Sequence, residues 1–114
     1  MRIEKFEEIL SWQKSKVLTL EIYRLLINNR DYSFRDQLCR AAVSIMNNIA
    51  EGFERRTNKE LITFLYIAKG SCAEVRSMLY LAVELKYISK KDFDNLYQFT
   101  IEISKLLSGF IKTL

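Results

Sequence analysis

The chain has 114 residues and a mass of 13.5 kDa, is 49% hydrophobic and 28% charged, and contains no Pro and three Gly. That excludes a disordered, collagen-like or Pro-rich chain, disfavours a many-turned β fold, and fits one domain able to bury a core without staples. Lys and Arg number 18 against 14 Asp and Glu, so the chain is mildly basic, with pI about 9.1; no His is present, so zinc motifs, serine-type triads and Glu-x-x-His di-iron pairs are excluded and no metal or cofactor is expected.

The first eight residues are charged and lack an apolar core, which argues against a secretory leader. No apolar run approaches the roughly 18 residues of a membrane span, so a cytoplasmic protein with no membrane partner is expected. A helical pattern then runs from Phe6 to Ile27. Turn residues follow at Asn28–Ser33, and Ser33 with Asp36 reads as the start of a second helix, Phe34 to Arg56. Thr57 with Glu60 forms a capping box that opens a third helix, Asn58 to Leu85. Ser89 with Asp92 opens a fourth, Lys90 to Thr113. Four near-equal rods joined by short turns must pack antiparallel. The predicted fold is all-α, an up-down-up-down four-helix bundle spanning 1–114 as one domain.

Apolar residues recur at three- and four-residue steps. The second helix places Leu38, Ala42, Ile45, Ile49 and Gly52 on one stripe, and the third Leu61, Leu65, Ala68, Cys72, Val75, Leu79 and Ala82. The fourth places Phe93, Leu96, Thr100, Ile103, Leu107, Phe110 and Leu114. Cys39 and Cys72 fall inside these patterns and read as buried free thiols. The second helix also carries a line of Cys39, Val43, Met46, Ala50 and Phe53, and the third is apolar nearly all round from Leu61 to Ala68. That excess predicts an oligomer held by the second and third helices. Small residues agree: Ala41, Ala42, Ala50 and Gly52 would face Ala68, Gly70, Ser71 and Ala73. Mid-helix Gly costs about 1 kcal/mol relative to Ala, so Gly52 and Gly70 are expected where a backbone or ring needs room.

A polar line, Arg40, Ser44, Asn47, Glu51 and Arg55 with Asn48 beside it, faces Ser71, Glu74 and Arg76. It reads either as a polar pocket or nucleic-acid contact, or as a hydrogen-bonded network fixing helix register. Glu51 and Glu74 could in principle form a carboxylate pair, but no nucleophile, second base or phosphate-cradling loop accompanies them, so an enzyme is not expected. Arg35 and Arg40 open the second helix, while Arg55, Arg56 and Lys59 crowd the turn after it. Repeated around an oligomer, these five would attract polyanions.

Three stretches carry a resemblance: Ile9–Lys14, Gln37–Phe53 and Phe64–Glu74. The pattern Ser-Ile-x-x-Asn-Ile-Ala-Glu-Gly followed by Ile-Ala-x-Gly-Ser-x-x-Glu resembles the bacterial four-helix bundle family encoded in 23S rRNA intervening sequences. A more distant resemblance is to the accessory variability protein of diversity-generating retroelements, a basic pentameric barrel that works with a reverse transcriptase and RNA. The resemblance implies an antiparallel bundle assembled as a homopentamer, with RNA or DNA and a reverse transcriptase or ribosomal protein as partners. It also implies a structural signature of Asn48, Glu51, Gly52, Gly70, Ser71 and Glu74. Two functions remain open: an oligomer that binds nucleic acid, or a protein–protein adaptor whose helix faces only build the oligomer.

Overall fold

The structure, a computed structural model, describes residues 2–114. Four α-helices, α1 (Leu10–Leu26), α2 (Tyr32–Phe53), α3 (Asn58–Glu84) and α4 (Lys90–Lys112), form an antiparallel bundle measuring 42 × 22 × 19 Å. Each packs on its neighbours in chain order and α4 closes on α1, α2 with α3 being the most extensive pair. Among the described residues the backbones of neither diagonal pair, α1 with α3 or α2 with α4, come close to one another. The core is aliphatic: Leu18, Ile22 and Leu26 of α1 meet Leu38, Ile45 and Ile49 of α2, Leu65, Val75 and Leu79 of α3, and Leu96, Ile103 and Leu107 of α4. The expected stripe of α3 is its buried set residue for residue. On α4 the stripe holds from Phe93 to Leu107, and Phe110 and Leu114 are only half-buried where the bundle ends.

Thr57 and Ser89 cap their helices as expected, accepting from the backbone N–H of Glu60 (3.1 Å) and Asp92 (3.0 Å). The second helix starts two residues earlier than read. Its cap is Asp31, whose Oδ1 accepts from Phe34 N–H at 3.3 Å. Asp31 displaces Ser33 because its second oxygen also accepts from the Tyr87 hydroxyl at 2.6 Å, tying this end to the α3–α4 turn. The helix also stops at Phe53 rather than Arg56. The first helix is broken. A 3-10 turn at Phe6–Glu8 is separated from α1 by Ile9, which is extended at φ −74°, ψ 121°. The break drives Ile9 into the core and leaves Phe6 edge-on to Trp12 at 5.2 Å. Gln13 bridges the gap, donating to Glu7 O at 2.8 Å.

Past α3 the chain reverses on a pair of backbone bonds, Tyr87 N–H to Ala82 O (2.9 Å) and Lys86 N–H to Val83 O (3.1 Å). This closure needs a left-handed residue after the cap, and Lys86 supplies it at φ 62°.

Candidate functional site

The bundle does not gather the five basic candidates. Arg35 stands near the start of α2, and Arg55 and Arg56 lie just past its end, so about 30 Å of helix separates them. Arg40 is exposed between them on the shaft. Arg35 is occupied: its guanidinium pairs with Asp36 at 3.1 Å and lies 4.8 Å from the Tyr32 ring centre. Arg55 pairs with Glu60 at 3.4 Å and covers the Phe64 ring at 4.9 Å. Arg40, Arg56 and Lys59 make no ion pair among the described residues. The antiparallel topology also brings Glu4, Glu7 and Glu8 to the end that holds Arg55, Arg56 and Lys59. The net positive charge is therefore carried along the shaft, by residues such as Lys16, Arg40, Arg76 and Lys105, instead of on one rim.

The signature residues divide. Asn48 Nδ2 donates to Ser44 O (2.8 Å) and Ser44 Oγ (3.0 Å), and Ser44 Oγ meets Ser71 Oγ at 2.9 Å across the α2–α3 seam. Gln37 Nε2 donates to Glu74 at 3.3 Å one level higher. This is a register-fixing network, and it accounts for the mid-helix Asn48; Asn47 is exposed. Glu51 and Glu74 do not form a pair. Glu51 adjoins Gly52, which packs on Phe64, and Glu74 lies about 15 Å further along α3. Gly52 fills its expected role, since a Cβ there would fall 2.6 Å from Phe64 Cβ. Gly70 does not: it is exposed, and an added Cβ would meet nothing within 4 Å. Ala73 is exposed as well, so only Ala68 and Ser71 of the small-residue set face α2.

The surplus apolar surface lies on α3, as the sequence suggests, and on α1 instead of α2. The second line on α2 is absorbed by the bundle: Cys39 is buried, and Val43, Met46, Ala50 and Phe53 are half-buried. The exposed large apolar side chains are Leu10, Val17, Leu20 and Tyr23 on α1 with Ile27 at its C-cap, Tyr66, Ile67, Tyr80 and Leu81 on α3 with Leu85 at its C-cap, and Tyr32 alone on α2. Leu20 is 56% and Ile27 70% exposed. Grooves of about 770 Å³ flank α1 on both sides. One, against α2, is walled by Leu20, Tyr23, Ile27 and Val43; the other, against α4, by Ile9, Leu10, Ile101 and Phe110. The exposed apolar face of α1 does not show when stripes are read on the other helices alone. The signal was there, in the apolar spacing of Leu10, Val17, Leu20 and Ile27 beside the core residues Leu18, Ile22 and Leu26.

Both cysteines are free thiols. Burial pushes the Cys72 thiol up to about 11, and it donates to Thr100 O at 3.2 Å. Burial also raises Cys39. Among the described residues no cluster of His, Cys, Asp and Glu could hold a metal ion, and no helix is long and apolar enough to cross a membrane.

A family model described as 23S rRNA-intervening sequence protein matches residues 7–109. Among solved structures, a Bacteroides thetaiotaomicron protein of unknown function from the S23 ribosomal protein family is similar, with TM-score 0.84 and 27% identity, over 90% of this chain and 99% of that one. No curated protein matches the chain.

Proposed function

The chain belongs to the 23S rRNA-intervening sequence protein family, and from that premise we propose that it is a non-enzymatic bundle that assembles as a homo-oligomer. The observation that carries this reading is the pair of unpartnered apolar faces, one on α1 and one on α3. Contiguous apolar surface of this kind on a small protein marks a place where another molecule sits. The homopentamer is the assembly taken as the working model. Light scattering at micromolar concentration is expected to return a multiple of the 13.5 kDa chain mass; a monomer would overturn the reading.

A second, finer part of the proposal is that the assembly holds RNA or DNA by charge. Its support is that Arg56 and Lys59 stand without ion-pair partners beside Arg55 at the α2–α3 turn, and that the family takes its name from an insert in an rRNA gene. Arg35 and Arg40 are too distant to join the same contact within one copy. One copy offers few phosphate contacts, and a ring repeats them, so affinity should depend on assembly and fall steeply with salt. Labelled RNA titrated at low and physiological salt tests this against an Arg55→Glu/Arg56→Glu variant that still assembles. Equal binding by that variant would remove these residues from the site. No binding at low salt would leave the adaptor reading, an oligomer with no nucleic-acid role.

A further inference from the structure

We infer that the groove between α1 and α4 binds a small aliphatic monocarboxylate, a straight-chain alkanoate. Its head sits at the N-terminus of α1, and its tail runs to the end of the bundle. The site lies across the bundle from the α2–α3 turn and does not depend on nucleic acid.

The inference starts from an unpaired hydroxyl. Ser11, Ser15 and Thr19 recur at four-residue steps on α1, and all three are buried. Ser15 Oγ donates to Ser11 O at 2.6 Å, and Thr19 Oγ1 to Ser15 O at 2.8 Å. The matching acceptor for Ser11 is Glu7 O, four residues back. The break at Ile9 takes that carbonyl off the helix ladder, and Gln13 Nε2 occupies it at 2.8 Å. Ser11 is 2% exposed and lines the groove, and its Oγ has no partner. Trp12 Nε1 is also buried and unpaired, but Trp12 does not line the groove. A buried polar group left unpaired is costly, and a ligand seated beside Ser11 removes that cost.

The free polar groups at this level are donors. Asp31, Thr57 and Ser89 cap the other three helices, and α1 has no side-chain cap. Its first backbone bond is Gln13 N–H to Ile9 O at 3.1 Å. The N–H groups of Leu10, Ser11 and Trp12 therefore find no acceptor among the described residues, at the positive end of a 17-residue helix. Lys14 pairs with Glu102 at 3.3 Å. One turn nearer the end of the bundle, antiparallel packing sets Lys105 level with Ser11. Lys105 lines the groove, is exposed and makes no ion pair among the described residues. Glu102, the one carboxylate lining the groove, is held by Lys14. A head group that only accepts and carries one negative charge satisfies this set, and a carboxylate is such a group. A phosphate dianion suits it less, because Glu4, Glu7 and Glu8 crowd the same end.

Beyond Lys105 the walls are apolar: Ile3, Ile9, Leu106 and Phe110. Thr113 gives its hydroxyl to Phe110 O at 2.7 Å. Gly109 also lines this stretch; it is exposed, and an added Cβ would meet nothing within 4 Å. Glycine weakens the helix that holds it, and no residue of the chain needs this gap. A tail lying over α4 does. From Lys105 to Thr113 α4 rises about 12 Å, the length of a chain of about eight to ten carbons. The groove holds about 770 Å³, within the roughly 300–1,000 Å³ of small-molecule sites. The groove between α1 and α2 is as large but differs in its polar groups. Its Arg24 and Arg35 are held by Glu21 and Asp36, and it lies toward the carbonyl end of α1.

Calorimetric titration of the wild-type assembly with sodium octanoate, below its micelle-forming concentration, tests the site. Acetate, which lacks the tail, and 1-octanol, which lacks the charge, are each expected to bind at least about tenfold more weakly than octanoate. Lys105→Glu should weaken octanoate binding at least about tenfold. Ser11→Ala should weaken it about threefold while raising the unfolding temperature of the unliganded protein, since it removes the unpaired hydroxyl. Gly109→Leu should abolish binding by filling the groove, with oligomer size unchanged. Arg40→Glu, in the other groove, should bind as wild type does. No binding of octanoate would overturn the site, and equal affinity for 1-octanol would overturn the carboxylate. Binding lost in Arg40→Glu and kept in Lys105→Glu would overturn the placement. Should Gly109→Leu unfold, the exposed Lys105→Glu decides, and undiminished binding there overturns the proposal.

Discussion

The two sides of α3 are built from the same kinds of residue and do opposite work. Its inner side, Leu61 to Ala82, is almost wholly buried, and at Gly52 the facing helix lacks the one atom that would strike Phe64. Its outer side carries Ile67, Leu81 and Leu85 around Gly70, Ala73 and Ser77, all exposed, with open space where a Cβ of Gly70 would stand. The inner side is spent on folding one chain. The outer side contributes little to that fold and, by the reading above, is reserved for a second chain. Substitutions on the two sides should therefore separate stability from assembly.

The largest separation is expected for leucines. Leu65 is fully buried, so Leu65→Ala should destabilise the protomer by about 2–5 kcal/mol in denaturant unfolding. Leu81 is 49% exposed; Leu81→Lys should change protomer stability by less than about 0.5 kcal/mol and still disperse the oligomer in light scattering. If Leu81→Lys unfolds the chain, or leaves assembly intact, the division between the two sides fails.

The glycines give the next test. Gly52→Ala places a Cβ 2.6 Å from Phe64 Cβ. Overpacking of this order costs about 1–3 kcal/mol, because the contact is with the first side-chain atom and Phe64 cannot swing away from it. Gly70→Leu adds a good helix former where an added Cβ meets nothing. It should raise protomer stability by up to about 1 kcal/mol while blocking assembly. A Gly70→Leu protein that assembles normally would remove Gly70 from any contact.

The difference between these two glycines marks how far the sequence can be read. Apolar spacing predicts the bundle and the buried set of α3, and a hydroxyl with an acid three residues on predicts the caps at Thr57 and Ser89, because those features depend on neighbours three and four residues away. Gly52 and Gly70 look alike at that range, and only the packing of Phe64 distinguishes them. The break at Ile9 escapes the pattern for the same reason: Ile at that position fits a helix as well as it fits a core plug. Ser33 and Asp31 are both good caps, and the choice is made by Tyr87, 56 residues away. Charge was the least legible property. Arg55, Arg56 and Lys59 form a cluster along the chain, and the fold returns Glu4, Glu7 and Glu8 to their end of the bundle.

Where α3 ends, the contrast becomes one of backbone instead of contacts. Lys86 holds φ 62° to close the turn into α4, and a side chain in that conformation costs about 1–2 kcal/mol that Gly would not incur. Lys86→Gly should therefore stabilise the protomer by about 1 kcal/mol in thermal or denaturant unfolding, with assembly unchanged. A loss of stability would show that the Lys86 side chain contributes more than its backbone strain costs.

The last expected effect concerns the one strongly shifted group on the inner side. Burial raises the Cys72 thiol from its ordinary 9.0 to about 11. Below pH 9 the thiol keeps its proton whether the chain is folded or not, and it contributes no pH dependence. Between pH 9 and about 11 the unfolded chain releases that proton while the folded chain retains it, so ionisation favours unfolding and stability falls as pH rises. Tyr80 and Tyr87 are also shifted upward, by hydrogen bonds to Tyr97 and Asp31 respectively, and slope in the same direction. The measurement is therefore a difference. Unfolding midpoints at pH 8 and pH 10.5 are compared for wild type and Cys72→Ala, and the variant, whatever its lower absolute stability from the smaller side chain, should lose less between the two pH values. Equal losses would mean that the thiol ionises freely in the folded chain, which a side chain sealed against Thr100 on the inner face of α3 cannot do.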